Sequence, residues 1–246
     1  RQLFPALTEV KDALYYRHAA RVDGRLITAA LRRAAESKGL TIQAAGADSL
    51  VLDQQQLRGV QVNGTLIRAN AAIIAGGAWS ATLGDQIGVQ IPVEPQRGQI
   101  IHLDLPGVET GDWPVVNAFH GHYIVCWPAQ NGVGRVVVGA TRETGAGFAP
   151  HTTAAGIREV LSEALRVAPG LADAQLHEIR IGLRPVAVDG LPLLGAAPQV
   201  RGVVIATGHG PNGLQLGPLS GKIAAMLALG QAPEVDIRAF DVARFG

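Results

Sequence analysis

The chain has 246 residues, 48% apolar and 17% charged, with a formal net charge of +1. This is the composition of a globular protein with a sizeable core, and it argues against a disordered chain, a nucleic-acid binder or a protein held to an anionic membrane by charge. The one cysteine, Cys126, excludes an internal disulfide and any Cys-x-x-Cys site and favours a reducing, cytoplasmic compartment; no apolar run reaches the ~18 residues of a membrane span.

In chain order, residues 25–38 (RLITAALRRAAESK) place Leu26, Ile27, Ala30, Leu31 and Ala34 on one stripe, with Gly39 at the C-cap position of an amphipathic helix. Short strand-like pieces follow: TIQA, SLVLD, RGVQV and TLIRA. The last two flank Asn63-Gly64, a two-residue hairpin signal. AAIIAGGAWS (71–80) reads as a buried strand ending in a glycine turn. From about 85 to 183, IPVEPQRGQIIHLDL, PVVNAF, HYIVCW and RVVVGAT read as strands of a mostly antiparallel sheet. A helix over 152–168, capped by Thr152 or Thr153, buries Ile157, Val160, Leu161, Ala164, Leu165 and Ala168 and ends at Pro169-Gly170. A strand at 202–207 and a helix from about 214 to 229 close the chain. The order describes one α/β domain interrupted by another.

Four stretches could carry chemistry. In VVIATGHGPNGLQLG (203–217), Gly208, Gly210 and Gly213 have the G-x-G-x-x-G spacing of a dinucleotide-binding turn. Glu234 stands at roughly the distance of the acidic ribose ligand, but QAPEVDIRAF offers no strand to carry it. A tight packing turn and a turn whose free N–H groups face another electron-rich ligand both remain open. In RIGLRPVAVDGLPLLG (180–195), Arg184 lies in an apolar neighbourhood and needs an anion, either internally at Glu178 or Asp189 or on a substrate carboxylate. In FHGHYIV (119–125), His120 and His122 would share a strand face, but no third ligand accompanies them, so no metal is assigned; Tyr123 points to the opposite face. Ser80 and Ser220 are not in G-x-S-x-G elbows, and Cys126 has no activating neighbour in sequence.

Taken together, GRLITAALRRAAESKG, AAIIAGGAWS, HYIV…GRVVVGAT, GLRPVAVDGLPLLG and ATGHGPNG, in this order, resemble the D-amino acid oxidase family of flavoenzymes, and most of all the glycine oxidases of bacterial thiamine biosynthesis. The resemblance spans essentially the whole chain. It implies an α/β (α+β) architecture: an incomplete Rossmann-like FAD-binding domain (18–84 and 184–246) with an inserted, mostly antiparallel substrate domain (85–183). Residues 1–17 would end an earlier substrate-domain segment. Family members begin with a βαβ unit carrying the true G-x-G-x-x-G, and that region has no counterpart here. The turn of Gly208, His209, Gly210, Pro211, Asn212, Gly213 and Leu214 then matches the family's C-terminal flavin loop, not the fingerprint. Gly76 matches the family's A-x-G turn near the cofactor, and the main chain at Asp48 a contact on the adenine side. Arg184 matches the arginine that pairs with the substrate carboxylate, and Tyr123 a tyrosine that supports the same group.

The implied chemistry is hydride transfer from the substrate Cα–H to flavin, giving an imine that hydrolyses to a 2-oxo acid and ammonia. Oxygen as electron acceptor would give hydrogen peroxide. The implied substrate is glycine or another small amino acid or amine, and relatives commonly form dimers or tetramers. Rival readings are a D-amino acid or N-methyl amino acid dehydrogenase that passes electrons to a quinone, and an inactive fragment or one subunit of a split flavoenzyme. Three departures bear on these expectations. Pro211 stands where glycine oxidases carry an arginine associated with substrate binding. Cys126 and Trp127 precede Pro128, where relatives pass directly from strand to proline. Without the N-terminal pyrophosphate cradle, the chain as given is expected to hold FAD poorly and to be inactive.

Overall fold

The computed structural model describes residues 3–10 and 12–245. Its elements run α1 (Gly24–Glu36), β1 (Ser49–Asp53), β2 (Gln56–Val62), β3 (Thr65–Arg68), β4 (Ala72–Ile74), α2 (Ser80–Asp85), β5 (Val93–Pro106), β6 (Val116–Asn117), β7 (Tyr123–Gln130), β8 (Val133–Gly139), α3 (Ala154–Val167), β9 (Gln175–Ala187), β10 (Leu193–Ala196), β11 (Val203–Thr207) and α4 (Gly213–Ala228). The chain forms two compact units, residues 1–23 with 97–183 and residues 24–96 with 184–246; β5 and β9 each run from one into the other.

The first unit is built on a five-stranded sheet of order β6-β7-β8-β5-β9. β5 with β8, β8 with β7 and β7 with β6 are antiparallel. Alternation along these strands sends Ile101, Leu103, Ile124, Cys126, Val136 and Val138 to one face, where Val160, Ala164 and Val167 of α3 cover them. Helix α3 begins where the sequence directs: Thr153 is extended and its hydroxyl accepts from Gly156 N–H at 3.1 Å. The cap is held from the sheet. Gln99 donates to the Thr153 hydroxyl (2.9 Å) and to Glu143 (2.7 Å), while its carbonyl accepts from Thr153 N–H (3.0 Å). A Cβ at position 156 would lie 2.1 Å from Gln99 Nε2, so this approach requires the glycine. Glu143 also accepts from Thr141 and Arg97. Burial opposes its ionisation, but these hydrogen bonds outweigh it and hold its pKa below the usual carboxylate value.

The second unit holds two three-stranded sheets, β1-β2-β3 and β10-β11-β4. The first is a meander whose β2–β3 turn is Asn63-Gly64, both at positive φ (49° and 74°), as the hairpin signal requires. In the second, β11 is central, antiparallel to β10 and parallel to β4. Val203 and Ile205 enter a core with Leu57, Ile74, Val93 and Leu193, while Val204 faces Leu194, Ile223 and Ala224 beneath α4. A continuous apolar run is what a strand buried on both faces needs.

Local differences from the sequence reading have physical causes. Residues 41–44 form no strand; all four are exposed, without a neighbour to complete a ladder. Residues 85–96 lie in the second unit because Ile87, Val89, Ile91 and Val93 enter its core; residues 18–23 lie in the first. Helix α1 forms over the expected stretch but has no buried residue. Among the described residues, no helix is long and apolar enough to cross a membrane.

Candidate functional site

β4 and β11 run side by side and parallel, with Ile74 opposite Ile205, so both chains leave the sheet at the same end. Open α/β sheets receive ligands at the carboxyl ends of parallel strands. Here each strand passes into a glycine turn and then a helix. After β4, Gly76 and Gly77 lead through a 3-10 turn (Gly77–Trp79) into α2; after β11, Gly208 to Gly213 lead through a 3-10 turn (Gly210–Asn212) into α4.

The glycines are required by conformation and by space. Gly77, Gly208 and Gly210 have φ of 56°, 75° and 52°, the left-handed region that side chains disfavour. A Cβ at Gly208 would lie 2.8 Å from Leu193 Cδ1. The N-terminus of α4 is electrostatically open. The Asn212 side chain makes no capping bond, and the first turn holds no acidic residue to neutralise the dipole. His209 is fixed by a 2.8 Å hydrogen bond between Nε2 and Ser220 Oγ, and burial lowers its pKa, which favours the neutral ring. The strand carrying Arg184 reaches this turn: Val186 of β9 forms an antiparallel bridge with His209. Arg184, partly buried, stands two residues upstream.

Of the residues singled out from the sequence, Gly76 and Gly208 to Asn212 belong to these two turns, and Gly213 and Leu214 open α4. Asp48 precedes β1 in the same unit; its N–H donates to Gln61 O (2.8 Å), its carbonyl accepts from Gln86 (3.1 Å) and its carboxylate accepts from Gly64 N–H (3.2 Å). Tyr123 opens β7 in the first unit, opposite Gly139. The missing side chain at Gly139 makes room for the ring, because a Cβ there would sit 3.1 Å from the tyrosine hydroxyl oxygen. The two carboxylates considered as internal partners for Arg184 have other partners: Glu178 binds Arg180, and Asp189 binds Arg244 at 2.8 Å. His120 and His122 do not share a strand. His120 sits at φ 53° in a 3-10 turn, and among the described residues no group of His, Cys, Asp and Glu could hold a metal. Cys126 is fully buried and its pKa is pushed up to about 12 by desolvation, so it is not an activated thiol. Trp127 packs at 5.6 Å from the Arg21 guanidinium. The sequence reading missed a buried hydroxyl pair, Ser80 and Thr207, lying between the two turns.

Comparison with known proteins decides the family. Residues 1–227 match the model of the FAD dependent oxidoreductase (DAO) family. This chain belongs to that family. It is 39% identical over 244 residues to the uncharacterized oxidoreductase YurR of Bacillus subtilis (strain 168), covering 99% of this chain and 64% of YurR. The structure of iminodiacetate oxidase (IdaA) from Chelativorans sp. BNC1 superposes with a TM-score of 0.85 at 42% identity, over 90% of this chain and 58% of that one. Glycine oxidase from Geobacillus kaustophilus gives a TM-score of 0.77 at 30% identity, over 89% and 57%. The chain therefore spans less than two thirds of the length of these relatives.

The residues present fit the ring end of the family's cofactor. A flavin concentrates negative charge on one edge when reduced, and the open α4 N-terminus and close-lying glycine backbones are suited to such an edge.

Proposed function

We propose that the protein is a flavin-dependent oxidase of a small amino or imino acid, with oxygen as electron acceptor. The observation that carries this is the bridge between Val186 and His209, which joins the strand of Arg184 to the glycine turn in a chain of this family. Bound FAD would supply the two-electron acceptor for a hydride. Gly76 and Gly208 to Leu214 would hold its ring end, and the main chain at Asp48 would meet the adenine end.

Arg184 would grip the substrate carboxylate with its planar guanidinium, in a two-point contact that fixes the orientation of the Cα–H bond. Orientation supplies most of what such a transfer needs, so no strong general base is required, and the substrate amine reacts in its neutral form. Pro211, where glycine oxidases carry arginine, favours a substrate other than glycine itself. The 42% identity to iminodiacetate oxidase supports a secondary amine that carries a carboxylate.

Arg184→Ala, in protein expressed from its full reading frame, should lower kcat/KM for carboxylate substrates by about 10²–10³, or roughly 3–4 kcal/mol, while amines without a carboxylate lose less than about threefold. Equal losses for both classes would assign Arg184 a structural role. Pro211→Arg should shift relative rates toward glycine; unchanged ratios would remove the loop as a specificity element.

A further inference from the structure

We propose that Thr207 is a positioning residue for the flavin: its hydroxyl clasps the Gly76–Gly77 turn to the Gly208 turn and fixes which peptide N–H groups face the cofactor. The proposal rests on the flavin reading above. Thr207 is the last residue of β11, 2% exposed, and Ser80 opens α2 fully buried. Ser80 Oγ donates to Thr207 Oγ1 at 3.1 Å, and Thr207 Oγ1 donates to the Gly77 carbonyl at 3.0 Å. That carbonyl also accepts from Ser80 N–H, so both of its lone pairs are used. The Gly76 carbonyl accepts from Trp79 N–H at 3.0 Å. Both glycine carbonyls of this turn are thereby held by protein donors.

The consequence follows from peptide geometry. In a planar trans peptide, C=O and N–H point in opposite directions. With the Gly77 carbonyl held by Thr207, the Ala78 N–H must point away from Thr207. Gly77 has φ 56°, and a glycine moves readily between conformations, so the turn does not keep this orientation through its own sterics. The hydroxyl supplies the restraint. Because Thr207 directly precedes Gly208, the same side chain sets the spacing of the two turns. Both hydroxyls are buried, which strengthens each bond and makes its loss felt.

The polarity of the relay separates its two members. The Ser80 hydroxyl donates to Thr207, whereas the Thr207 hydroxyl donates to the Gly77 carbonyl. Thr207→Val should therefore disturb the turn strongly, Thr207→Ser should restore it, and Ser80→Ala should have a small effect.

Amide hydrogen exchange on the unliganded protein tests the clasp directly. The amides of Trp79, Ser80 and Asn212, which bond to the Gly76, Gly77 and His209 carbonyls within the two turns, should exchange about tenfold faster in Thr207→Val, with core strand β8 unchanged as the control for folding, and Thr207→Ser should return them to within about twofold of wild type. In protein from the full reading frame, Thr207→Val should weaken FAD binding about tenfold and shift the flavin's visible bands, both rescued by Thr207→Ser. Wild-type exchange at Trp79 and Ser80 in Thr207→Val, or wild-type flavin affinity and spectrum, would overturn the proposal. A wild-type protein that takes up no flavin would overturn the functional reading instead, and exchange at Trp79 and Ser80 would still decide the clasp.

Discussion

Helices α3 and α1 carry equally clear amphipathic patterns, and they end in opposite environments. α3 has a threonine cap held from the sheet and buries Gly156, Val160, Ala164 and Val167. α1 buries nothing: Leu26 and Leu31, both on its apolar stripe, are 71% and 57% exposed. Its internal support is local, with Thr28 donating to the Gly24 carbonyl and Arg32 to Glu36 one turn on. Periodicity thus identifies the face a helix would bury but not whether a neighbour covers it. The energy of a helix in a protein comes mostly from that cover.

Substitutions on the two stripes should separate most widely. Val160→Asp places an unpaired charge at a fully buried position and should cost about 4 kcal/mol or more, enough to unfold the first unit. Leu31→Asp should change stability by no more than about 0.5 kcal/mol in denaturant unfolding. Comparable losses would mean that α1 is covered in solution.

Acid should strain the sheet beneath α3. His102 on β5 is buried, both its ring nitrogens lack hydrogen-bond partners, and its pKa is lowered to about 4, by desolvation first and by Arg180 next. The unfolded chain takes up a proton near pH 6.5 that the folded chain refuses until about pH 4. The first unit should lose about 3 kcal/mol as pH falls through that window, and be insensitive to His102 above it. His102→Leu should flatten this part of the profile; an unchanged pH dependence would contradict the assignment.

The smallest contrast lies at the helix starts. Thr153→Ala removes the α3 cap and should cost about 1 kcal/mol. Thr28→Ala, on exposed α1, should be neutral or stabilising by a few tenths of a kcal/mol, because alanine is the better helix former. Thermal or urea midpoints of the paired variants measure the difference.

Much of the fold was legible because its signals are local. The 25–38 and 152–168 stripes, the Asn63-Gly64 hairpin and the glycine turn after β11 each depend on a few neighbouring residues. What the sequence left unread depends on residues far apart in the chain. Thr207 and Ser80 are 127 positions apart, and neither belongs to a recognisable motif. Residues 85–96 read as strand-like whichever core receives Ile87, Val89 and Ile91. His120 was expected on a strand, but the φ of 53° at that residue and the turn through Gly121 break the alternation. Within the site, the turn glycines were visible from spacing, while the resemblance to a flavoenzyme family was needed to choose flavin over a bare packing turn. The bridge from β9 to His209 became visible only in the fold.

The paired glycine turns are the proposed seat of a flavin. The most direct measurement is the visible absorption of protein expressed from its full reading frame, mixed with FAD and passed through gel filtration. The flavin's two visible bands should travel with the protein at close to one FAD per chain. A folded protein that emerges colourless would contradict that assignment.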